Sequence, residues 1–392
     1  MHMLVIKNGT LLPMNSKTLN ADILIEEGKI AAIEKDVSTG TADVIDASGC
    51  FVTPGLIDAH SHMGLMQTGT PDRDHNELSD PIAPELRAID AINPFDAAFA
   101  AARSSGMTTC ITGPGSINLI GGAFAAIKTA GTLVDDMVLR NPVAIKMALG
   151  ENPKLRYSEQ NKSPRSRMAE AAIIRKALVR ATEYLYAMRC AAESNDKARA
   201  RDLAMEALLP VLSRELPLKI HVHRADDIAT AVRIADEFNV RYTLDHCTEG
   251  YLVTDLLKKA LAKNCQGIIV GPLISYSGKY ETARKMDFKI PVALYESGIP
   301  FAICTDYYEN PVELLRVCAA LSAAEGLPPD EALKAITINA AKIAGISDRV
   351  GSLAVGKDAD IAVFSGDPID CRSRCLITII DGDIVYKRSD LT

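Results

Sequence analysis

A chain of 392 residues, 48% hydrophobic and 24% charged, carries enough apolar material for one large domain and a smaller companion. Its 43 basic and 50 acidic residues leave a net charge of −7, which argues against nucleic acid as the main partner. No run approaches the ~20 apolar residues of a membrane span, and the opening MHMLVIKNG lacks a signal pattern, so a cytoplasmic protein without a membrane partner is expected. The nine cysteines are scattered, with no C-x-x-C pair, and read as small apolar residues of a reducing compartment, Cys247 beside His246 included.

Residues 3–49 alternate apolar and polar positions in short runs, LVIKNGTLL and then ADILIEEGKIAAIE, with a hairpin turn at Glu26-Glu27-Gly28. VTPGLIDAHSH follows at 52–62, an apolar run that ends in His60 and His62, whose i, i+2 spacing puts both on one face of a strand. NPFDAAFAAARSSG predicts a helix from Pro94 to Gly106. After it come the strand MTTCIT, the glycine-rich GPGSINLIGG (113–122) as a tight strand-to-helix loop, a helix around GAFAAIKTAG, and the strand AIKMALG with Glu151 just beyond it. The Ala-, Arg- and Glu-rich stretch 165–214 is too long for a connector and reads as an inserted helical pair, which could pack against a second subunit in a homo-oligomer. Alternation then resumes: LKIHVH, a helix, YTLDH, a helix, GIIVG, PFAICTD and two last helices. Residues 350–388 return to short strands, VGSLAVGKDADIAVFSG and LITIIDGDIVYKR.

About eight strand–helix units with no G-x-G-x-x-G loop after the first strand predict an α/β fold. Its expected parts are a (β/α)8 TIM barrel over 55–345 and a small β-sandwich built from both termini, 1–54 and 346–392. Five of the seven histidines fall in three strand-like segments, and every candidate ligand sits at a strand's C-terminal end. His60 and His62 end the first, Glu151 follows AIKMALG, His221 and His223 end LKIHVH, His246 ends YTLDH and Asp306 ends PFAICTD. In a barrel those ends share one mouth. Neutral imidazoles there can hold zinc, which lowers the pKa of its water to about 7, while an acid such as Asp306 takes and returns the proton.

ADILIEEGKIAAI, VTPGLIDAHSH, the strand-end His and Asp residues and the closing VGSLAVGKDADIAVF together resemble the amidohydrolase superfamily, in its imidazolonepropionase- and prolidase-like branch. The resemblance implies a hydrolytic barrel with one or two divalent metals, typically zinc, and a small-molecule substrate. It implies that His60, His62 and His221 are metal ligands, that His246 binds a second metal or the substrate carbonyl, and that Asp306 touches the metal's water and shuttles its proton. A two-metal site also needs a bridging anion, either a modified Lys146 or Glu151; Glu151, nearer the strand end and in need of no modification, is preferred. His223, Arg224 and Tyr307 are candidates to orient substrate, and the Arg73-Asp74-His75 loop for reaching over the pocket. The reaction expected is hydrolysis of a C–N bond in a cyclic or small peptide-like amide. The alternatives are deamination of an amino-heterocycle and a silent scaffold. Specificity is expected in loops 66–90, 151–165, 272–290 and 307–311.

Overall fold

Short alternating segments form strands because each has one apolar face to hide and one polar face to hydrate. The computed structural model describes residues 3–66, 73–194, 200–274 and 286–389, so parts of the 66–90 and 272–290 loops lie outside the described residues. The chain opens with β1 (Met3–Lys7), β2 (Thr10–Leu11), β3 (Leu19–Asn20), β4 (Asp22–Glu26), β5 (Lys29–Glu34), β6 (Asp43–Asp46) and β7 (Phe51–Pro54). Pro54-Gly55 then leads into the barrel. A Cβ on Gly55 would lie 2.1 Å from the Thr108 hydroxyl, so glycine leaves the space that the Thr108 side chain fills.

Eight strands make the barrel wall in sequence order: β8 (Leu56–Ser61), β9 (Met107–Thr112), β10 (Ile120–Lys128), β11 (Val138–Ala148), β12 (Leu218–Val222), β13 (Tyr242–His246), β14 (Cys265–Val270) and β15 (Phe301–Ile303). Seven run parallel, while β10 is antiparallel to both β9 and β11. The helix expected around GAFAAIKTAG is therefore a strand, and GPGSINLIGG joins strand to strand. Alanine favours a helix, but every residue of β10 is buried, and the segment has no polar stripe for a surface helix to show to water. The seam between first and last strands is nearly closed. Asp306 donates its N–H to the His60 carbonyl at 3.1 Å, and His62 donates to that of Tyr307 at 3.0 Å. Beneath them the buried Asp58 carboxylate accepts from the Thr305 amide at 3.1 Å and from its hydroxyl, and burial pushes its pKa up to about 7.

The C-terminal region returns as β16 (Ile361–Phe364), β17 (Cys375–Ile380) and β18 (Asp383–Lys387). Two sheets result, β5-β4-β1-β6 and β18-β17-β16-β7-β2-β3, the second taking strands from both ends of the chain. Leu4, Ile6, Ile23, Ile25, Val52, Ile361 and Ile379 fill the small core they share with their neighbours. The reversed β10 ends at Lys128, whose buried ammonium meets Asp358 at 2.8 Å, Asp360 at 3.1 Å and Asp381 at 2.5 Å, tying the barrel to the terminal sheets. Helices Arg167–Ser194 and Leu203–Leu212 occupy the 165–214 stretch. The earlier helix spans Ala97–Ser104, starting later than Pro94 because Asp96 caps it, accepting from the Ala98 amide at 3.0 Å.

Candidate metal centre

Six of the seven histidines gather at the barrel mouth; the seventh, His2, lies outside the described residues. His60 lies 5.3 Å from His62 and 4.9 Å from His246 between ring centroids. His221 lies 4.4 Å from His246 and 4.6 Å from His223. His75, from the polar loop after β8, joins at 5.4 Å from His62. Two of the strand ends bend to deliver their residues: His246 has φ 69° and Asp306 φ 52°, left-handed backbone that costs roughly 1–3 kcal/mol in a non-glycine residue.

The rings are anchored in a common way. Nδ1 of His62 donates to the Gly113 carbonyl at 2.7 Å, and Nδ1 of His246 to the Gly271 carbonyl at 2.7 Å. A Cβ on Gly113 would meet the Phe124 ring at 2.4 Å, so glycine is what lets this carbonyl sit under His62. Nδ1 of His60 lies 2.6 Å from an Asp245 oxygen, and Nδ1 of His223 lies 2.8 Å from the Thr248 hydroxyl. Fixing one ring nitrogen this way leaves the Nε2 lone pair free to bind a metal. Nε2 of His246 is buried and has no hydrogen-bond partner among the described residues. The Asp306 carboxylate stands 3.3 Å from Nε2 of His62 and 3.6 Å from that of His60. His60, His246 and Asp306 each offer a ligand atom within 4.8 Å of the others.

Charge suits the same purpose. Burial, with the Lys146 and Lys219 ammonium groups beside it, holds the His60 imidazole well below its usual pKa, and burial lowers that of His246. For Asp306 burial acts upward, yet His246, His62 and His60 outweigh it and keep the carboxyl well below its ordinary value. Imidazoles of lowered basicity at His60 and His246, beside the Asp306 carboxylate, are a donor set that fits a divalent metal.

The bridging candidates separate in space. Lys146, on β11, is fully buried and brings its Nζ to 3.4 Å from Nε2 of His60; burial draws its pKa down to about 8. Glu151 is the first residue of the helix Glu151–Glu159, past the Gly150 turn with φ 104°. Of the two, Lys146 is the one whose nitrogen stands beside a histidine of the cluster, whereas Glu151 starts the helix that follows β11. Nε2 of His221 is met by the Asn152 amide at 3.3 Å. Of the substrate candidates, His223 is buried among the rings. Arg224 forks onto Asp226 at 2.8 and 2.9 Å at the start of the following helix. Tyr307 packs into the main core, and it is Tyr308 that lies at the rim, 5.9 Å from His75 with Arg73 over its ring at 5.4 Å. Cys247 is buried, and burial pushes its thiol well up, in keeping with packing.

Sequence reasoning missed Asp245, Lys219 and Asn152. Asp245 precedes His246 in YTLDH, so simple alternation sets the two on opposite faces; the left-handed turn at His246 brings both to the site. Lys219 in LKIHVH shares the parity of His221, a signal that was there to be used.

The chain's residues 51–387 match the family model described as Amidohydrolase family. Among curated proteins it is similar to the amidohydrolase tasK of Hapsidospora irregularis, 29% identical over 92% of this chain and 39% of that protein. The chain thus spans well under half the length of that relative. It is also 29% identical to the imidazolonepropionase of Fusobacterium nucleatum, over 88% of this chain and 85% of that one. A 73-residue stretch, 19% of this chain and 15% of the relative, is 44% identical to the D-hydantoinase of Geobacillus stearothermophilus. Among solved structures, an amidohydrolase from Thermotoga maritima MSB8 superposes with a TM-score of 0.94 at 35% identity, covering 98% of this chain and 100% of that one.

Proposed function

Since the chain belongs to the amidohydrolase family, we propose that it hydrolyses a carbon–nitrogen bond in a small cyclic amide, at a site holding one or two divalent metals, typically zinc. The single observation that carries this reading is the convergence of His60, His246 and Asp306, with ligand atoms within 4.8 Å of one another at the barrel mouth. Similarity to an imidazolonepropionase and, over a short stretch, to a D-hydantoinase supports a cyclic amide as the substrate class. The barrel unit is taken as 55–345, with 1–54 and 346–392 as the sandwich and 165–214 as a helical insertion.

His60, His62, His221 and His246 are the proposed imidazole ligands, with Asp306 as carboxylate ligand and proton carrier. A divalent metal bound there would lower the pKa of a coordinated water and polarise the scissile carbonyl. Asp306, ionised and within reach of two ring nitrogens, accepts the attacking water's proton and delivers it to the leaving nitrogen. Lys146 is the proposed bridge in place of Glu151: its amine, lowered to about 8, adds carbon dioxide to give a carbamate and a proton. His223 is the proposed substrate-holding residue, a reading supported by its burial beside His221 and His246.

Elemental analysis of protein purified without chelators is the test. One or two divalent ions per chain are expected, and an Asp306→Asn variant that keeps its fold should lose turnover by about 10²–10⁴-fold. A chain that carries no metal and takes none up on reconstitution would overturn the reading.

A further inference from the structure

Lys146 and Lys219 are both buried inside the barrel, and they face opposite sides of the same histidine. Lys146 approaches Nε2 of His60 at 3.4 Å. Lys219, only 3% exposed, stands on the Nδ1 side, where its Nζ lies 3.0 Å from Asp245 Oδ2, the same oxygen that sits 2.6 Å from Nδ1 of His60. Its Nζ also donates to the Ala59 carbonyl at 3.0 Å, the peptide that leads into His60. The Thr243 hydroxyl, at 2.9 Å, donates to the other Asp245 oxygen, Oδ1. The Phe124 ring, 5.6 Å from Lys219 Nζ and 5.5 Å from that of Lys146, fills the barrel between them.

We infer that Lys219 is a positioning residue which, by holding Asp245 as hydrogen-bond acceptor for His60 Nδ1–H and fixing the Ala59 carbonyl, aims the His60 Nε2 lone pair at the metal centre. The inference rests on the metal reading above. Lys219 touches His60 at two places, through the backbone before it and through the carboxylate behind its ring, and a cation serving only to neutralise Asp245 would need neither the Ala59 contact nor the shared oxygen. A purely structural role makes a different prediction. Replacing a buried ion pair by apolar side chains is often neutral for stability, and it would leave metal affinity unchanged in whatever protein folds.

The experiment compares metal-free wild type, Lys219→Met, Asp245→Asn, the double variant and Thr243→Val. Zinc affinity is read against a chromophoric chelator, and the His60 tautomer by long-range ¹⁵N–¹H spectra without metal. Lys219→Met should weaken zinc binding about 10–100-fold, the usual effect of removing a group that orients a ligand, and should reduce the Nδ1–H tautomer of His60. The double variant should bind no more weakly than Asp245→Asn alone, and Thr243→Val, which removes a donor only from the Asp245 oxygen that does not face His60, should lose less affinity than Lys219→Met. Should Lys219→Met not fold, Lys219→Gln, which keeps a donor for Ala59 but no charge, is expected to show the same loss through the Asp245 arm. Wild-type affinity and tautomer in a folded Lys219 variant, or additive losses in the double variant, would overturn the inference. If wild type itself takes up no zinc, the metal reading fails, and the tautomer spectra still decide what Lys219 does to His60.

Discussion

Lys146 and Glu151 are five positions apart in one segment, and the structure gives them different surroundings: Lys146 reaches His60 from β11, whereas Glu151 is the first residue of the helix that follows. Lys146→Ala should therefore lower the bound metal per chain and abolish most turnover, while Glu151→Ala should leave metal content within measurement error; elemental analysis of both proteins decides, and the reverse pattern would restore Glu151 as the bridge. The histidine cluster was legible in the sequence because histidine is scarce, seven in 392 residues, and falls at the ends of apolar runs. Asp245 was not, since its role depends on the left-handed turn at His246 and on how β13 meets β8 across the barrel. For Lys219 the parity with His221 gave the face but not the contact with Asp245 and Ala59. Tyr307 and Tyr308 are chemically alike, and only the path of the chain after Asp306 sends the first into the core and the second toward His75.

At the scale of elements, the helix Arg167–Ser194 supports the mouth from outside. Its buried Glu170 accepts the Gly150 amide at 3.0 Å, at the turn after β11, and burial pushes its pKa up to about 7. The folded chain thus keeps a proton there that the unfolded chain releases near 4.5. Stability from this group falls as pH rises from about 4.5 to about 7 and is level above that. Glu170→Gln should match or trail wild type at pH 5 and gain on it by up to roughly 3 kcal/mol by pH 8, at ~1.4 kcal/mol per pKa unit. Urea unfolding at the two pH values checks this; a constant difference between the proteins would show that Glu170 does not titrate in this window. The barrel's strands were recognisable as short apolar runs, yet β10 was taken for a helix. Alanine-rich sequence buried on both faces offers no period to distinguish the two, and the hairpin that reverses β10 is set by its partners β9 and β11.

At the scale of the whole molecule, Lys128 is the rivet between barrel and terminal sheets, with Asp358, Asp360 and Asp381 around one ammonium and Arg349 also on Asp358 at 2.7 Å. Burial pushes Asp360 up to about 6, while Asp358 is held at about 2, burial being outweighed there by Lys128, Lys29 and Arg349. Removing the central cation leaves buried carboxylates facing one another, so Lys128→Met should cost about 3–5 kcal/mol. Denaturant unfolding measures it, and a loss below 1 kcal/mol would show that the apolar contacts alone hold the parts together. The terminal sheets also impose an order on synthesis. β7 pairs with β16, Val52 opposite Val363, so one partner leaves the ribosome roughly 300 residues before the other. At ~5–20 residues per second, β7 waits about 15–60 s with that edge unpaired. During that interval the nascent chain offers an apolar strand edge to any neighbour, which makes β7 the segment where chaperone contact has the most to protect.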